Sequence, residues 1–300
     1  MLSRRQKHIL LKFFSMFSVV RGYNILVLVI AQYLSAIFIM AHERPLKEVL
    51  FDLNLFFIVL ASATTIASGY IINNFYDSEK DLINRPQKSM LDRLVSQNTK
   101  LSFYFTLNFL AVIFASYVSF RAVIFFSVYI FLIWFYSHKL KRLPFIGNLT
   151  SAVLTISPFF AIFVYYKNFE HVIFVHAMFL FLLISMKELT KDLENIKGDL
   201  AHNYQTIPIA YGERISKMML TILAVLTLIP SYLLVFKFNN GEMDYYFYFS
   251  ILLLSIFVVF LWKANTRSHY VKLHNLLKFI IVAGVIGIVL IKPSVVINSI

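Results

Sequence analysis

The chain has 300 residues, of which 59% are hydrophobic, 17% aromatic and only 14% charged, where a soluble domain would be about a quarter charged. Apolar runs long enough to cross a bilayer recur along it, which excludes a soluble globular protein and reads as an integral, multi-pass membrane protein. There is no cysteine, so disulfides and thiol chemistry are excluded, and the net charge of +13 asks for a topological explanation before a nucleic-acid one.

In chain order, the amino terminus MLSRRQKHILLKFFSMFSVVRGYN is basic, carries Arg21 inside an apolar region, and lacks the short apolar core and cleavage site of a removable signal peptide. Spans are predicted near 22–40, 54–75, 101–119, 122–137, 146–166, 171–188, 217–236, 245–262 and 275–297, from apolar runs alone. The very short link at Phe120 and Arg121 predicts a helical hairpin from the third and fourth spans. Pro144, Pro158, Pro208 and Pro230 mark loop ends or kinks. The expected fold is all-α: a polytopic bundle of about nine transmembrane helices enclosing a central cavity. It is read as one domain over 1–300, with the motifs in 22–215 and three closing helices in 216–300.

Orientation follows from Lys and Arg. With the amino terminus and every second loop on one side, that side holds 22 of the 28. It includes Arg4, Arg5 and Lys7, the loop from Lys80 to Lys100, and the loop from Lys187 to Lys217. The amino terminus is therefore expected in the cytoplasm, with the chain in the cell (inner) membrane. Membrane lipids are natural partners of these basic loops, and no nucleic-acid partner is needed.

Two acidic stretches fall on this cytoplasmic side: NNFYDSEKDLINRP from Asn73 to Pro86, and KELTKDLENIKGD from Lys187 to Asp199. Asn73, Asp77 and Asp81 are spaced by four, and Glu188, Asp192, Asn195 and Asp199 by four, three and four, so each set stacks on one helical face. Like charges at that spacing repel, whereas a hard divalent cation such as Mg²⁺ turns them into ligands. Asp77, Asp81, Asp192 and Asp199 are the candidate metal-binding and catalytic carboxylates, clamping Mg²⁺ between helices around a diphosphate leaving group. Glu79 and Glu194 lie off these faces. Arg21, Arg85, Lys88 and Lys139 are placed to take phosphate oxygens by charge-assisted hydrogen bonds, Arg21 and Lys88 being the preferred pair, with Asn24 one turn beyond Arg21. His171 and His176, expected at the outer side, read as hydrogen-bonded interface histidines.

These residues resemble the UbiA family of intramembrane prenyltransferases, recognised by an N-D-x-x-D-x-x-x-D stretch after the second helix and a second Asp-rich stretch after the sixth. Asn73, Asp77 and Asp81 match the first. HNYQTIPIAYG (His202 to Gly212) and YSHKLKRLPFIGN (Tyr136 to Asn148) are similar to the segments following the second stretch and opening the fifth helix. The likeness runs from about Arg21 to Gly212. INRP and KDLENIKGD are most like the geranylgeranylglyceryl-phosphate geranylgeranyltransferases, which make ether lipids. Asn74 and Asn195 stand where the family usually or often has Asp, each replacing a charged ligand by a neutral one.

The resemblance implies Mg²⁺-dependent transfer of a polyprenyl group from its diphosphate to an acceptor such as geranylgeranylglyceryl phosphate. Ionisation of the allylic C–O bond leaves a cation that aromatic faces stabilise, with Tyr136 the first candidate, and Asp192 takes the acceptor's proton. Asn73, Glu188 and Asn195 join the substrate-binding set. Two alternatives stay open. One is prenylation of an aromatic quinone precursor by the same mechanism; the other, of a different class, is a secondary transporter, whose carboxylates would sit nearer the bilayer midplane.

Overall fold

Inside a bilayer, segments like these satisfy their backbone polar groups by becoming helices. The computed structural model describes residues 4–238 and 240–294, and no strand occurs among the described residues. Its helices are α1 (Arg4–Val19), α2 (Gly22–Ser35, prolonged by a π-helical turn over Ala36–Met40), α3 (Leu46–Leu50), α4 (Leu53–Asn84), α5 (Pro86–Asp92), α6 (Gln97–Val118) and α7 (Phe120–His138). They continue as α8 (Ile146–Tyr166), α9 (His171–Ala201), α10 (Ile207–Leu226), α11 (Leu228–Phe236), α12 (Asp244–Lys263) and α13 (Arg267–Gly287). Among the described residues nine helices are long and apolar enough to cross a membrane, and each expected span overlaps one of them. The end of the last expected span, 295–297, lies outside the described residues, as do the side chains of Arg4, Arg5 and Lys7.

Several boundaries differ from the sequence reading. The second span, expected to end near Tyr76, belongs to a helix of 32 residues, about 48 Å long at 1.5 Å per residue against a hydrocarbon layer of about 30 Å. α9 has 31 residues and overshoots in the same way. Both acidic stretches are therefore the protruding last turns of spanning helices rather than loops, because hydropathy falls at the membrane edge while i→i−4 hydrogen bonding does not. The seventh span starts at Ile207 rather than 217, with a break in helical geometry at Gly212 (φ +83°), where open space surrounds the glycine. Pro158 lies inside α8. The hairpin stands as expected, turning on Ser119, whose side chain caps α7 by accepting from the Ala122 N–H.

The structure resolves into two compact units, one comprising Met1–Val29 and Leu53–Leu140, the other Ile30–Asp52 and Lys141–Ile300. In the first, α6 and α7 pack on α4. Small residues permit this close approach: a Cβ at Gly69 would meet the Ile133 side chain at 2.9 Å. In the second, α9 is the central strut, flanked by α8, α10, α11 and α13, and its Leu183, Met186, Leu189 and Leu193 enter a core shared with Phe247 and Phe257. Burial follows a membrane protein's logic. Phe105, Phe109, Val128 and Phe260 are more than half exposed, while Gln32, Ser62, Lys100 and Thr190 are almost wholly buried, because polar groups in a membrane protein find their partners within the protein.

Candidate active site

The first acidic face runs along the end of α4. Asp77 is buried and its Oδ1 lies 3.4 Å from Lys80 Nζ; Asn73 and Asp81 are half-buried. One turn earlier stands Tyr70. Arg21, at the break between α1 and α2 with φ +50°, holds its guanidinium 5.0 Å from the Tyr70 ring centre, a favourable cation–π distance. Asn24 Nδ2 donates to the Tyr70 hydroxyl at 3.1 Å. The left-handed kink at Arg21 thus turns two of the expected substrate-binding residues onto the α4 face that continues into Asn73, Asp77 and Asp81. Glu79 lies off this face, as expected, and pairs with Arg93 at 2.8 Å. Tyr136, half-buried in α7, and Lys139, exposed at its carboxyl end, belong to the same unit.

Behind this face is a polar network that sequence reasoning missed. Asn74 Nδ2 donates to Asp92 Oδ2 at 3.0 Å, and Asn74 Oδ1 accepts from Lys100 Nζ at 2.8 Å. Asp92 also accepts from Lys88 Nζ at 2.9 Å and from the Ser18 hydroxyl at 2.8 Å. Asn74, Asp92 and Lys100 are 9%, 3% and 1% exposed. Asn74 therefore has its donor and its acceptor both engaged within the protein. Lys88, expected on phosphate, pairs with Asp92 and keeps about a third of its side chain exposed. Lys100, counted as a loop cation, is in the first turn of α6, below its Ser96 cap, and its ammonium is buried. The one local signal was Lys88 and Asp92 at i, i+4; the link to Lys100 and Ser18 bridges distant parts of the chain.

The second face belongs to the end of α9. Asp192 is half-buried and accepts from Asn148 Nδ2 of α8 at 2.8 Å. Asn195 and Asp199 are buried, and the Asn195 side-chain oxygen is buried with no hydrogen-bond partner. Glu188 is on the face but is neutralised by Lys187 and Lys191, each at 3.0 Å, so it is a weaker ligand candidate than its spacing suggested. Glu194 points away, as expected, but is far from idle: it pairs with His274 Nδ1 at 2.8 Å and with Arg267 at 3.7 Å, tying α9 to α13. Just beyond the face, Gln205 N–H donates to the Arg142 carbonyl at 2.9 Å, and the Arg142 guanidinium covers the Tyr204 ring at 5.2 Å. These contacts stitch the α7–α8 link to the α9–α10 link.

Among the described residues no three His, Asp or Glu side chains gather into a metal cage. Mg²⁺ does not require one, since it is held by one or two carboxylates, with substrate phosphates and water completing its shell. Asp192, Asp199 and the unpartnered amide oxygen of Asn195 are hard oxygen donors of the kind such an ion takes, so this face fits it.

Residues 29–281 match the UbiA prenyltransferase family. The chain belongs to that family. It is 34% identical over 217 residues to the digeranylgeranylglyceryl phosphate synthase of Thermococcus sibiricus, covering 72% of this chain and 75% of that one. It is 29% identical to the synthase of the same name from Methanobrevibacter smithii, covering 87% and 94%. Among solved structures, one described as a digeranylgeranylglyceryl phosphate synthase superposes with TM-score 0.68 at 24% identity, over 93% of this chain and 98% of that one. A UbiA homologue from Archaeoglobus fulgidus bound to GPP and Mg²⁺ superposes with TM-score 0.67 at 12% identity, over 92% and 99%. The molecule is thus a multi-pass membrane prenyltransferase of UbiA type. Family membership decides for an enzyme over a transporter.

Proposed function

We propose that this UbiA-family enzyme transfers a geranylgeranyl group from geranylgeranyl diphosphate to the free hydroxyl of geranylgeranylglyceryl phosphate, with Mg²⁺ as its cofactor. The allylic C–O bond of the donor breaks, the acceptor oxygen bonds to the allylic carbon, the hydroxyl proton leaves and diphosphate is released. Bound Mg²⁺ supplies neutralisation of the charge that develops on the departing diphosphate. Asp77 and Asp81 of α4, and Asp192, Asn195 and Asp199 of α9, would supply its oxygen ligands, and transfer would need each set. Arg21, Arg85 and Lys139 add positive charge for phosphate oxygens; Asn24 and Tyr70 hold Arg21 in place, and Asn73 contributes a neutral donor. Asp192 receives the hydroxyl proton, and aromatic rings, Tyr136 among them, stabilise the cation.

The observation that carries this reading is the α9 face itself: a half-buried Asp192 oriented by Asn148, beside a buried amide oxygen that nothing in the protein satisfies. Likeness to synthases that make digeranylgeranylglyceryl phosphate supports the acceptor. The whole chain is read as one prenyltransferase domain of the cell membrane, active toward the cytoplasm, where the basic loops are placed by their charge. The test supplies labelled geranylgeranyl diphosphate and a panel of acceptors to the protein in lipid nanodiscs. A Mg²⁺-dependent digeranylgeranylglyceryl phosphate product is expected. A product formed only with an aromatic acceptor, or none with any, overturns the assignment.

A further inference from the structure

α1 is not one of the spanning helices. Its 16 residues hold Arg4, Arg5, Lys7 and Lys12 and no carboxylate, beside a run of leucine and phenylalanine. α2 with its π-helical turn covers Gly22–Met40, 19 residues. That is about 28 Å at 1.5 Å per residue, close to the whole hydrocarbon layer of about 30 Å. α1 therefore falls beyond the edge of that layer, on the side where charge places the basic loops.

The two sides of α1 differ. Ser15 and Val19 are buried; the Ser15 hydroxyl donates to the Leu91 carbonyl of α5 at 2.8 Å. Lys12, three residues before Ser15, stands on this polar side and is exposed. On the opposite side Leu10, Phe13, Phe14 and Phe17 follow i, i+3, i+4 and i+7, a single apolar stripe, and are 40%, 65%, 57% and 48% exposed. The break into α2 fixes the level of that stripe. Arg21 takes φ +50°, and a Cβ at Gly22 would collide with the Phe17 ring. Glycine thus lets the stripe close on the first turn of a spanning helix. An apolar stripe at that level, on a helix whose charges are all positive, is the pattern of a helix lying in the interface of a bilayer.

We propose that α1 is a docking helix for an anionic lipid surface. Leu10, Phe13, Phe14 and Phe17 enter the boundary between headgroups and acyl chains, and Arg4, Arg5, Lys7 and Lys12 take lipid phosphates. Charge complementarity selects this occupant: four cations with no carboxylate among them repel the same helix of a second copy, whereas headgroups of net negative charge neutralise them. The carboxyl end of α1 is bonded through Ser18 to Asp92, and so to Asn74, and leads into Arg21 over Tyr70. The docked helix therefore ties the membrane surface to the α4 segment that bears Asp77 and Asp81.

The chain has no cysteine, so Phe14→Cys gives a single attachment point for an environment-sensitive fluorophore. The labelled full-length protein is placed, one copy per disc, in nanodiscs of phosphatidylcholine alone or mixed with phosphatidylglycerol. Quenching by acrylamide, a neutral solute, is then measured. Quenching should be several-fold weaker in the mixed discs than in phosphatidylcholine alone. Combining Arg4→Gln, Arg5→Gln, Lys7→Gln and Lys12→Gln should abolish that difference, as should salt at about 1 M, where screening leaves charges a reach of about 3 Å. A label quenched as freely as in water in both discs overturns docking. Equal shielding in both overturns the recognition of anionic lipid and leaves the stripe an ordinary lipid-facing surface. Shielding that appears only with two copies per disc overturns the lipid surface in favour of self-association. The label reports docking without prenyl transfer, so this inference and the proposed function fail separately.

Discussion

Asn74 and Asn195 each stand among the acidic residues at a helix end, and their surroundings could hardly differ more. On α4, Asn74 is locked between Asp92 and Lys100, with Lys88 and Ser18 completing the network. On α9, Asn195 is equally buried, yet its side-chain oxygen accepts nothing. The same side chain is thus held on both its atoms within a network in one unit and left with an unsatisfied amide oxygen in the other. What separates them is the neighbouring segment: α5 brings Asp92 against α4, whereas the α8 residue nearest the second face, Asn148, is engaged with Asp192.

That contrast can be broken most directly by removing the carboxylates themselves. Asp192→Ala and Asp77→Ala should each lower Mg²⁺-dependent prenyl transfer by at least about 10²-fold, comparable to deleting one charge-stabilising group from an active site. Transfer within a few fold of wild type in either variant would remove that residue from the site. Next in size, Asp92→Ala removes the one carboxylate of the network and leaves the buried Lys100 ammonium without a compensating charge, which costs about 3–5 kcal/mol. Thermal unfolding in detergent should show a large drop in Tm, and Asn74→Asp combined with Asp92→Asn should recover much more stability than Asn74→Asp alone.

Smaller still, and sharpest for the comparison, are the two substitutions by aspartate. Asn195→Asp should lower the Mg²⁺ concentration for half-maximal transfer, since it adds a charged ligand to an existing oxygen position. Asn74→Asp should leave that concentration unmoved while costing about 1–3 kcal/mol of stability through its clash with Asp92. An Asn74→Asp enzyme with tighter Mg²⁺ dependence and undiminished stability would erase the distinction. At the bottom of the scale, Glu79→Gln breaks an exposed pair with Arg93 and should change stability by no more than about 1 kcal/mol, which thermal unfolding can verify.

Periodicity and hydropathy are local properties, so what depends on them was legible in the amino-acid order. The nine spans, the tight turn after α6, and the one-sided faces Asn73–Asp77–Asp81 and Glu188–Asp192–Asn195–Asp199 all follow from spacing along a single helix. So did the off-face positions of Glu79 and Glu194. Where α4 and α9 end was not legible, because a helix keeps its hydrogen bonds after its hydrophobicity stops. Tertiary structure alone decided which polar groups are consumed by the fold. Lys100 on Asn74, Arg21 over Tyr70 and Asn148 on Asp192 each join residues from separate segments. A buried polar group's role is set by the partner that reaches it, and no spacing along one helix encodes that partner.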